Sequence, residues 1–460
     1  MDSYKDRLWR HLELSFLLAA LIAGAGCTAA LTPLPEARPL GSDLPRAKLA
    51  PSAERPAAQV FREPDGQLTL ADALSAALEN SPRLEAFDWQ VRAREARALQ
   101  AGLVPNPGIV VEGENFAGGG EFGGYDAAET TVFLGQLVEL GGKRAKRHRV
   151  AVLGRELAGW DYEAARLDVL TETTQRFVAA LAAKERLGLT NEILRVSEES
   201  LKATRARVRA GAASSIERAR SEVVVATIAA QRDRREIEFD GAKRTLASSW
   251  AGEVLFDDLT GELSSLREVP TLERVTGALA QNPDLARWAT EIAQREAAVE
   301  LARARAIPNV TAGLGVRHFN DSNDAALVFG LEVPLPLFDR NQGARAAAAA
   351  EVHRARATAR ESRLVLIRAL VAAHAQAQGA HGNAEALAST VLPQAKTAYE
   401  RTRDAYRKGL FRLVDVLDAQ RTLFDARTEY VNALQQFHTA AAELERLAGS
   451  SLEDLSNGSN

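Results

Sequence analysis

Two carboxylates near the end of the chain are the side chains whose type and spacing could support chemistry. Asp415 and Asp418 stand three residues apart in a stretch with a helical pattern that begins near Arg412, so they share one face of that helix. The helix dipole favours acidic side chains at a helix N-terminus, and that explanation requires no function. Carboxylates that crowd into a narrow opening would instead compete for protons or attract cations. The sequence alone leaves both interpretations open.

A matching segment lies 198 residues earlier, where Gly211 corresponds to Gly409. There Glu217 takes the place of Asp415 and is followed at once by Arg218, so the first segment is mixed in charge where the second is acidic. Each glycine fits the left-handed position that ends a helix and turns the chain. The two segments are therefore predicted to be corresponding turns between long helices.

Other residue types give no chemical site. The 460 residues include one Cys, one Met and seven His, and no two His have the spacing of metal ligands. No Ser/His/Asp or Cys/His set stands out, and the glycines at 118–124 lack a following helix that could hold a phosphate. A formal net charge of −4 gives no strong attraction to nucleic acid. We therefore expect no enzyme activity, no cofactor, no metal site and no nucleic-acid partner.

The chain repeats itself at long range. The motif Asn-Ser-Pro at 80–82 returns as Gln-Asn-Pro at 281–283, and the two prolines are 201 residues apart. Each copy is followed by an Ala/Arg-rich helical stretch, a Pro-Asn step and residues that alternate as in β-strands. A repeat of this length indicates a duplicated structural unit, and hence an internal two-fold repeat. The predicted parts are a first repeat at 67–262, a second repeat at 263–449 and a flexible tail at 450–460.

Each repeat carries the patterns of a β-hairpin and a helical hairpin. Alternating residues predict β-hairpins at about 108–140 and 309–336, with strands of about 9–11 residues, the length that crosses a membrane. Leu327, Phe329 and Leu331 fall on one apolar face, which suits a strand between lipid and a water-filled lumen. A soluble hairpin with one buried face would alternate in the same way. Helical hairpins are predicted at about 142–250 and 340–448.

A very long helix is predicted in each repeat. The tract at 142–210 contains no Pro, and as one helix it would be about 100 Å long. Such a helix packs against partners along its length, as in a coiled coil. Two β-hairpins give four strands, which cannot close a barrel in lipid by themselves. If the hairpins span a membrane, several chains must pool their strands, and three chains would supply about twelve.

The N-terminus has the layout of an export signal. A basic start and a short apolar run at 16–25 predict a signal peptide over residues 1–26. The small residues before Cys27 resemble a bacterial lipoprotein signal, in which that Cys is acylated, although Gly24 stands where such signals usually carry Leu. An ordinary signal peptide with an incidental Cys is the alternative. The Pro-rich residues at 27–66 predict an extended tether.

Together these features resemble the TolC-like outer membrane efflux family, and the resemblance covers about residues 68–448. The Gly-Gly-Lys-Arg sequence at 141–144 is similar to the cobalt–zinc–cadmium efflux branch, the CzcC-like proteins. Two further matches contain the motifs Asn-Ser-Pro and Gln-Asn-Pro, at 74–84 and 279–285, and these are called the Asn-Pro motifs below. The others are the two strand-to-helix junctions and the turn after Gly409, at 136–144, 333–343 and 409–423.

The resemblance implies a mixed, mostly α fold in which a homotrimer forms one duct. Four strands per chain would build a 12-stranded trimeric β-barrel in the outer membrane, and long α-helical hairpins would continue it as a periplasmic tunnel. The implied partners are a periplasmic adaptor (membrane fusion) protein, an inner-membrane proton-driven pump of the RND type, and outer membrane lipid. The implied cargo is divalent heavy-metal cations. Multidrug efflux, type I protein secretion and a purely structural periplasmic coiled-coil protein are the alternatives.

The resemblance also assigns roles to the two turns at the periplasmic end of the tunnel. Acidic residues from the three subunits would ring the closed aperture there. The aperture candidates are Asp415, Asp418, Glu217 and Arg218. Gly211 and Gly409 would mark the helical-hairpin tips that meet the adaptor.

Overall fold

The computed structural model describes residues 33–36, 38–41, 44 and 61–457 of the chain. The predicted signal peptide, Cys27 and most of the predicted tether lie outside the described residues. By its internal contacts the chain divides into the units Met1–Leu34 and Pro35–Asn460, and the fold below is that of the second unit.

Long α-helices make up most of the described chain. In chain order they are α1 (Leu70–Asn80), α2 (Pro82–Gly102), α3 (Lys143–Arg209), α4 (Ser215–Ala247), α5 (Leu272–Ala278), α6 (Pro283–Ala304), α7 (Gln342–Ala386), α8 (Leu392–Arg407), α9 (Leu413–Ala448) and α10 (Leu452–Asn457). A π-helical turn at Leu387–Val391 joins α7 to α8 without a break. The first helical hairpin therefore consists of α3 and α4, and the second consists of α7 and α8 followed by α9.

The strands form two separate sheets. They are β1 (Gly66–Leu68), β2 (Gly108–Glu114), β3 (Glu129–Val138), β4 (Phe256–Leu259), β5 (Val310–Phe319) and β6 (Asp324–Glu332). Strands β2, β3, β5 and β6 form one four-stranded antiparallel sheet in that order, and β1 pairs with β4 in parallel. The two β-hairpins are joined because β3 pairs with β5 along its length, from Glu129 opposite Phe319 to Val138 opposite Val310.

The two faces of the four-stranded sheet differ in chemistry. On one face Leu327, Phe329 and Leu331 of β6 are exposed by 85%, 68% and 59%. On the opposite face Arg317 forms ion pairs with Glu114 and Glu129, both at 2.9 Å. The isolated chain therefore presents one apolar face to its surroundings, and the opposite face carries charged side chains.

Glycines on β5 and β6 make room for an aromatic ring from β3. A Cβ atom at Gly315 would lie 2.6 Å from the carbonyl oxygen of Val132, and one at Gly330 would lie 2.7 Å from Cζ of Phe133. Both distances are shorter than real Cβ contacts, so the neighbouring strand and the ring leave space for glycine alone. Phe133 thereby covers two strands that have no side chains of their own at these positions.

Helix α3 is the element around which the other helices pack. It contains 67 residues, about 100 Å of helix, and it contacts α2, α4, α6 and α9. Leu167 and Leu181 lie in its well-buried middle section, at 0% and 4% exposure. Helix α4, by contrast, buries only Ser221, Leu246 and Ala247. Helix α4 therefore packs on α3 with one side, and most of its remaining surface is exposed in a single chain.

Both ends of the described chain pack against the helices. The sequence predicts a flexible tail at 450–460, but Leu452–Asn457 forms α10, and Leu452 is 1% exposed. The tail folds because Leu452 enters an apolar cluster and its amide donates to Oε1 of Glu445 at 2.8 Å. At the other end, the backbone N–H of Arg38 donates to Oε1 of Glu163 at 2.6 Å. This part of the predicted tether therefore lies against α3.

Candidate functional site at the helical tips and strand-to-helix junctions

The turns that contain Gly211 and Gly409 have the same geometry. Gly211 has a φ of +73° and Gly409 a φ of +77°, the left-handed conformation expected of them. In each turn the amide after the glycine donates to the carbonyl five residues before it, at 2.8 Å in the first turn and 2.9 Å in the second. This pattern is the Schellman motif, which satisfies the last carbonyls of a helix. The two tips are therefore structurally equivalent in their backbones.

Asp415 stabilises the start of α9. Its Oδ2 accepts the backbone N–H of Arg412 at 2.9 Å, and Nε of Arg412 lies 3.7 Å from the same oxygen. Asp418 lies about one turn further along α9 and is exposed to solvent. The two carboxylates differ in role, since Asp415 caps its helix while Asp418 faces outward.

The first tip presents a different pair. Ser214 Oγ accepts the backbone N–H of Glu217 at 3.2 Å, so the serine caps α4. Glu217 is half-buried and Arg218 is exposed. Within the described ranges no hydrogen bond or ion pair joins these two residues to Asp415 or Asp418. Their recorded contacts are thus local to each helix start.

The side chains at the two tips differ in size. Leu410 and Phe411 follow Gly409 and are exposed by 74% and 51%. At the first tip Ala212 and Ala213 follow Gly211. The sequence interpretation did not assign a role to Leu410 and Phe411, although two large apolar residues in an exposed turn are the kind of signal that marks a contact surface.

Polar side chains tie the two helical hairpins together between the core and the tips. Nε2 of Gln420 on α9 donates to Oγ of Ser197 on α3 at 3.0 Å, in a buried setting. Arg427 on α9 pairs with Glu192 on α3 at 2.8 Å. These contacts hold the return helix of the second hairpin against the long helix of the first.

At the first strand-to-helix junction a buried lysine links the two repeats. The glycines at 141–142 both have positive φ values, +72° and +68°, and lead into α3 at Lys143. Lys143 is 7% exposed, and its Nζ donates to the Ile307 carbonyl and the Asn309 side chain just before β5. Burial lowers the pKa of the Lys143 ammonium, although the charge of Glu139 opposes that shift. Lys143 thus fixes the start of α3 to the start of the second β-hairpin.

An arginine and a glutamate complete this junction. Arg147 donates to both carboxylate oxygens of Glu139, at 2.6 Å and 3.1 Å, and its Nε donates to the Ala101 carbonyl at 2.8 Å. The hydrogen bond from Arg147 holds the pKa of Glu139 below its ordinary value, against the effect of burial. The second junction uses an amide instead, because Nδ2 of Asn341 donates to the Ala302 carbonyl at 2.7 Å.

In each Asn-Pro motif an asparagine forms a hydrogen bond with the end of its own repeat. Nδ2 of Asn80 donates to the Trp250 carbonyl at 2.7 Å, and Nδ2 of Asn282 donates to the Leu447 carbonyl at 2.9 Å. Each acceptor lies at the end of the return helix of the same repeat. The sequence identified these motifs, but their acceptors lie at least 165 residues away and could not be read from the motif itself.

Neither a metal centre nor a membrane-spanning helix is found in the described ranges. No three or more His, Cys, Asp or Glu side chains there are arranged to hold a metal ion. No helix among the described residues is both long enough and apolar enough to cross a membrane.

Comparison with known proteins defines the family. Residues 73–250 and 275–450 match the family described as outer membrane efflux protein. The cobalt-zinc-cadmium resistance protein CzcC of Cupriavidus metallidurans is 31% identical over 389 residues, which cover 84% of this chain and 91% of that relative. The nickel-cobalt-cadmium resistance protein NccC of Alcaligenes xylosoxydans xylosoxydans is 30% identical over 285 residues, 62% of this chain and 64% of the relative. The crystal structure of CusC superimposes with a TM-score of 0.70 at 18% identity, covering 88% of this chain and 100% of that one.

The chain belongs to the outer membrane efflux protein family. Its class is therefore that of outer membrane efflux channels whose long helices form a periplasmic tunnel. Such proteins are transport ducts rather than enzymes. The residues described at the tips and junctions cap helices and connect neighbouring elements by hydrogen bonds.

Proposed function

We propose that three copies of this chain form an outer membrane duct through which divalent heavy-metal cations leave the cell. The observation that carries the choice of cargo is the 31% identity to the cobalt-zinc-cadmium resistance protein, spread over 84% of this chain. The exposed apolar face of β6 and the unpaired edges of β2 and β6 support pooling of strands into a 12-stranded barrel. The two family matches along one chain support an internal two-fold repeat.

The proposed duct is passive and takes its energy from partner proteins. An inner-membrane proton-driven pump of the RND type and a periplasmic adaptor would deliver the cations to the periplasmic end of the tunnel. The helical-hairpin tips at Gly211 and Gly409 are the proposed adaptor contacts. Exposed Leu410 and Phe411 support a protein contact at the second tip, because large apolar side chains in an exposed turn gain most when a partner covers them.

The aperture candidates would act only in the assembled trimer. Three copies of exposed Asp418 around a narrow opening would attract divalent cations, and Glu217 and Arg218 would set the remaining charge there. Asp415 contributes less to this field, because Arg412 already engages it at the start of α9.

Deletion of the gene, followed by growth in graded zinc, cobalt, cadmium and copper and in a panel of drugs, tests the choice of cargo. We expect lost tolerance to zinc, cobalt or cadmium, restored by the wild-type chain, with drug tolerance unchanged. Lost drug tolerance with unchanged metal tolerance would establish the multidrug alternative. A secretion defect limited to one polypeptide would establish type I secretion.

The proposed lipid anchor has its own test. If Cys27 is acylated, the wild-type chain will incorporate labelled palmitate and the Cys27→Ser variant will not. Equal absence of label in both chains would instead show an ordinary signal peptide with an incidental Cys.

A further inference from the structure

A buried arginine lies where the two repeats meet. Arg446, in the last turn of α9, pairs with Asp168 of α3 at 2.7 Å and with Asp284 in the first turn of α6 at 2.5 Å. Its side chain is only 15% exposed. Burial acts to lower the pKa of Arg446, but attraction to Asp284 and Asp168 outweighs it and raises that pKa. Arg446 is therefore held as a cation between two carboxylates on different helices.

Asp168 is shared with a second arginine. Nη2 of Arg83, in the first turn of α2, lies 2.5 Å from the other carboxylate oxygen of Asp168, and its Nη1 lies 2.8 Å from Glu172. The result is a continuous series of alternating charges, Arg83–Asp168–Arg446–Asp284, which we name the charge chain. The charge chain links α2, the helix that follows the first Asn-Pro motif, to α6, the helix that follows the second.

The two ends of the charge chain occupy the same position in the two motifs. Arg83 directly follows Pro82, and Asp284 directly follows Pro283. Asp284 suits its place, because a helix N-terminus favours negative charge. Arg83 opposes the dipole at the corresponding place, so its position is not explained by local helix preference. The local cost indicates that the charge of Arg83 is used for a contact outside its own helix.

We propose that the charge chain assigns the two similar helices α2 and α6 to their separate places against α3 and α9. The two helices have nearly the same length, 21 and 22 residues, and each begins with a proline after a residue in extended conformation. Only α6 is also capped by a side chain, that of Asn282. If the two exchanged places, Asp284 would meet Asp168 and Glu172, and Arg83 would meet Arg446. Arg446 is only 15% exposed, whereas Arg83 and Glu172 are 43% and 46% exposed. Like charges are therefore most unfavourable around Arg446, and this repulsion disfavours the exchanged arrangement.

The test exchanges the charges and then restores the alternation. All variants carry E172Q, which removes the second partner of Arg83 without a new charge. The exchanged variant R83D/D284R places like charges against Asp168 and Arg446, and D168R/R446D does the same from the other side. We expect each to reduce the protease-resistant chain in outer membrane fractions by about tenfold, and the four-residue combination to recover to within about twofold of the E172Q parent.

Two further variants separate pairing from simple loss of contacts. R83Q/D284N removes the attraction at the ends without placing like charges, and we expect a clearly smaller loss than for R83D/D284R. Glu199→Arg breaks the Arg195–Glu199 pair within α3, whose side chains are 65% and 66% exposed, and serves as the control, with an expected change below about twofold. A four-residue variant no better than R83D/D284R, or a neutral pair as damaging as the exchanged pair, would overturn the proposal. Protease resistance reports folding of the chain and does not depend on its cargo.

Discussion

Asn282 is the most buried polar side chain of the second Asn-Pro motif, and it serves two backbone groups at once. It is 0% exposed, donates to the Leu447 carbonyl at 2.9 Å, and accepts the Asp284 N–H at 2.8 Å. Asn282→Ala leaves both groups unpaired in a site that water does not reach. We expect a loss of about 1–3 kcal/mol in the free energy of unfolding, measured by urea titration in detergent. The exposed Asn191→Ala should change it by less than about 0.5 kcal/mol.

Glu139 makes the stability of the first junction dependent on pH. The hydrogen bond from Arg147 holds the pKa of Glu139 below its unfolded value of 4.5, so its contribution is present above that pH and is lost as pH falls through the folded pKa. Glu139→Gln should cost about 1–3 kcal/mol at pH 7, because the Glu139 side chain is only 12% exposed and accepts two hydrogen bonds from Arg147. The difference from wild type should shrink below about pH 4.5. Urea titrations across this range, with the exposed Glu198→Gln as control, measure it; a pH-independent difference would contradict this assignment.

The residue types predicted the local backbone geometry, but they did not predict contacts between distant parts of the chain. Gly211 and Gly409 could be assigned to left-handed turns, since only the backbone next to them decides that conformation. Lys143 belongs to a recognised sequence signature, yet its acceptors at Ile307 and Asn309 come from the other repeat. No pattern near a residue reports which carbonyl the folded chain will place beside it 164 positions later.

At the scale of whole elements, the Pro-free tracts correctly indicated long helices, but the two repeats differ within them. Helix α3 is uninterrupted from Lys143 to Arg209, whereas the second repeat contains the π-helical turn Leu387–Val391 just before Pro393. Proline lacks the N–H group and its ring clashes with the carbonyl of the preceding turn. The wider π turn makes room for that ring, so the second helix continues through a proline that would otherwise end it.

This difference predicts that proline is destabilising in the long helix of the first repeat and tolerated in that of the second. Arg195 lies 198 residues before Pro393, the same spacing that relates the two tip glycines, and it is exposed on an unbroken part of α3. Arg195→Pro should cost about 3 kcal/mol or more in the free energy of unfolding, because α3 has no π turn to accommodate it. Pro393→Ala should change stability by less than about 1 kcal/mol, since the π turn is retained by packing of buried Leu387. Urea titration compares the two; equal losses would show that the π turn does not accommodate the proline.

For the strands, the sequence pattern predicted their positions but not how the two β-hairpins pair with each other. Alternation located both β-hairpins to within a few residues, because the two-residue period is a local property. The pairing of β3 with β5 joins residues that lie up to 190 positions apart, from Glu129 opposite Phe319, and it depends on glycines that make space for Phe133. Such a contact follows from the packing of the sheet as a whole rather than from any one strand.

At the scale of the whole molecule, one chain leaves surfaces that are costly to expose. The edges of β2 and β6 have unpaired backbone groups, the β6 face is apolar, and α4 buries only three residues although it packs on α3. Open sheet edges are not tolerated in lipid, and the exposed side of the 33-residue helix α4 gains little stability without a further partner. The fold of a single chain is therefore incomplete in the way expected of one part of a symmetric duct.

The two faces of β6 give a direct test of membrane placement. Phe329 lies on the exposed apolar face near the middle of β6, and its neighbour Val328 lies on the opposite, charged face. If the apolar face meets lipid, Phe329→Arg puts a charge into hydrocarbon and should cost about 2–4 kcal/mol, while Val328→Arg faces a water-filled lumen and should cost much less. Both variants add the same side chain to adjacent positions of one strand, so each controls for the β propensity of the other. Folding into phospholipid vesicles across a urea series measures the difference, and equal costs at the two positions would show that the sheet does not separate lipid from water.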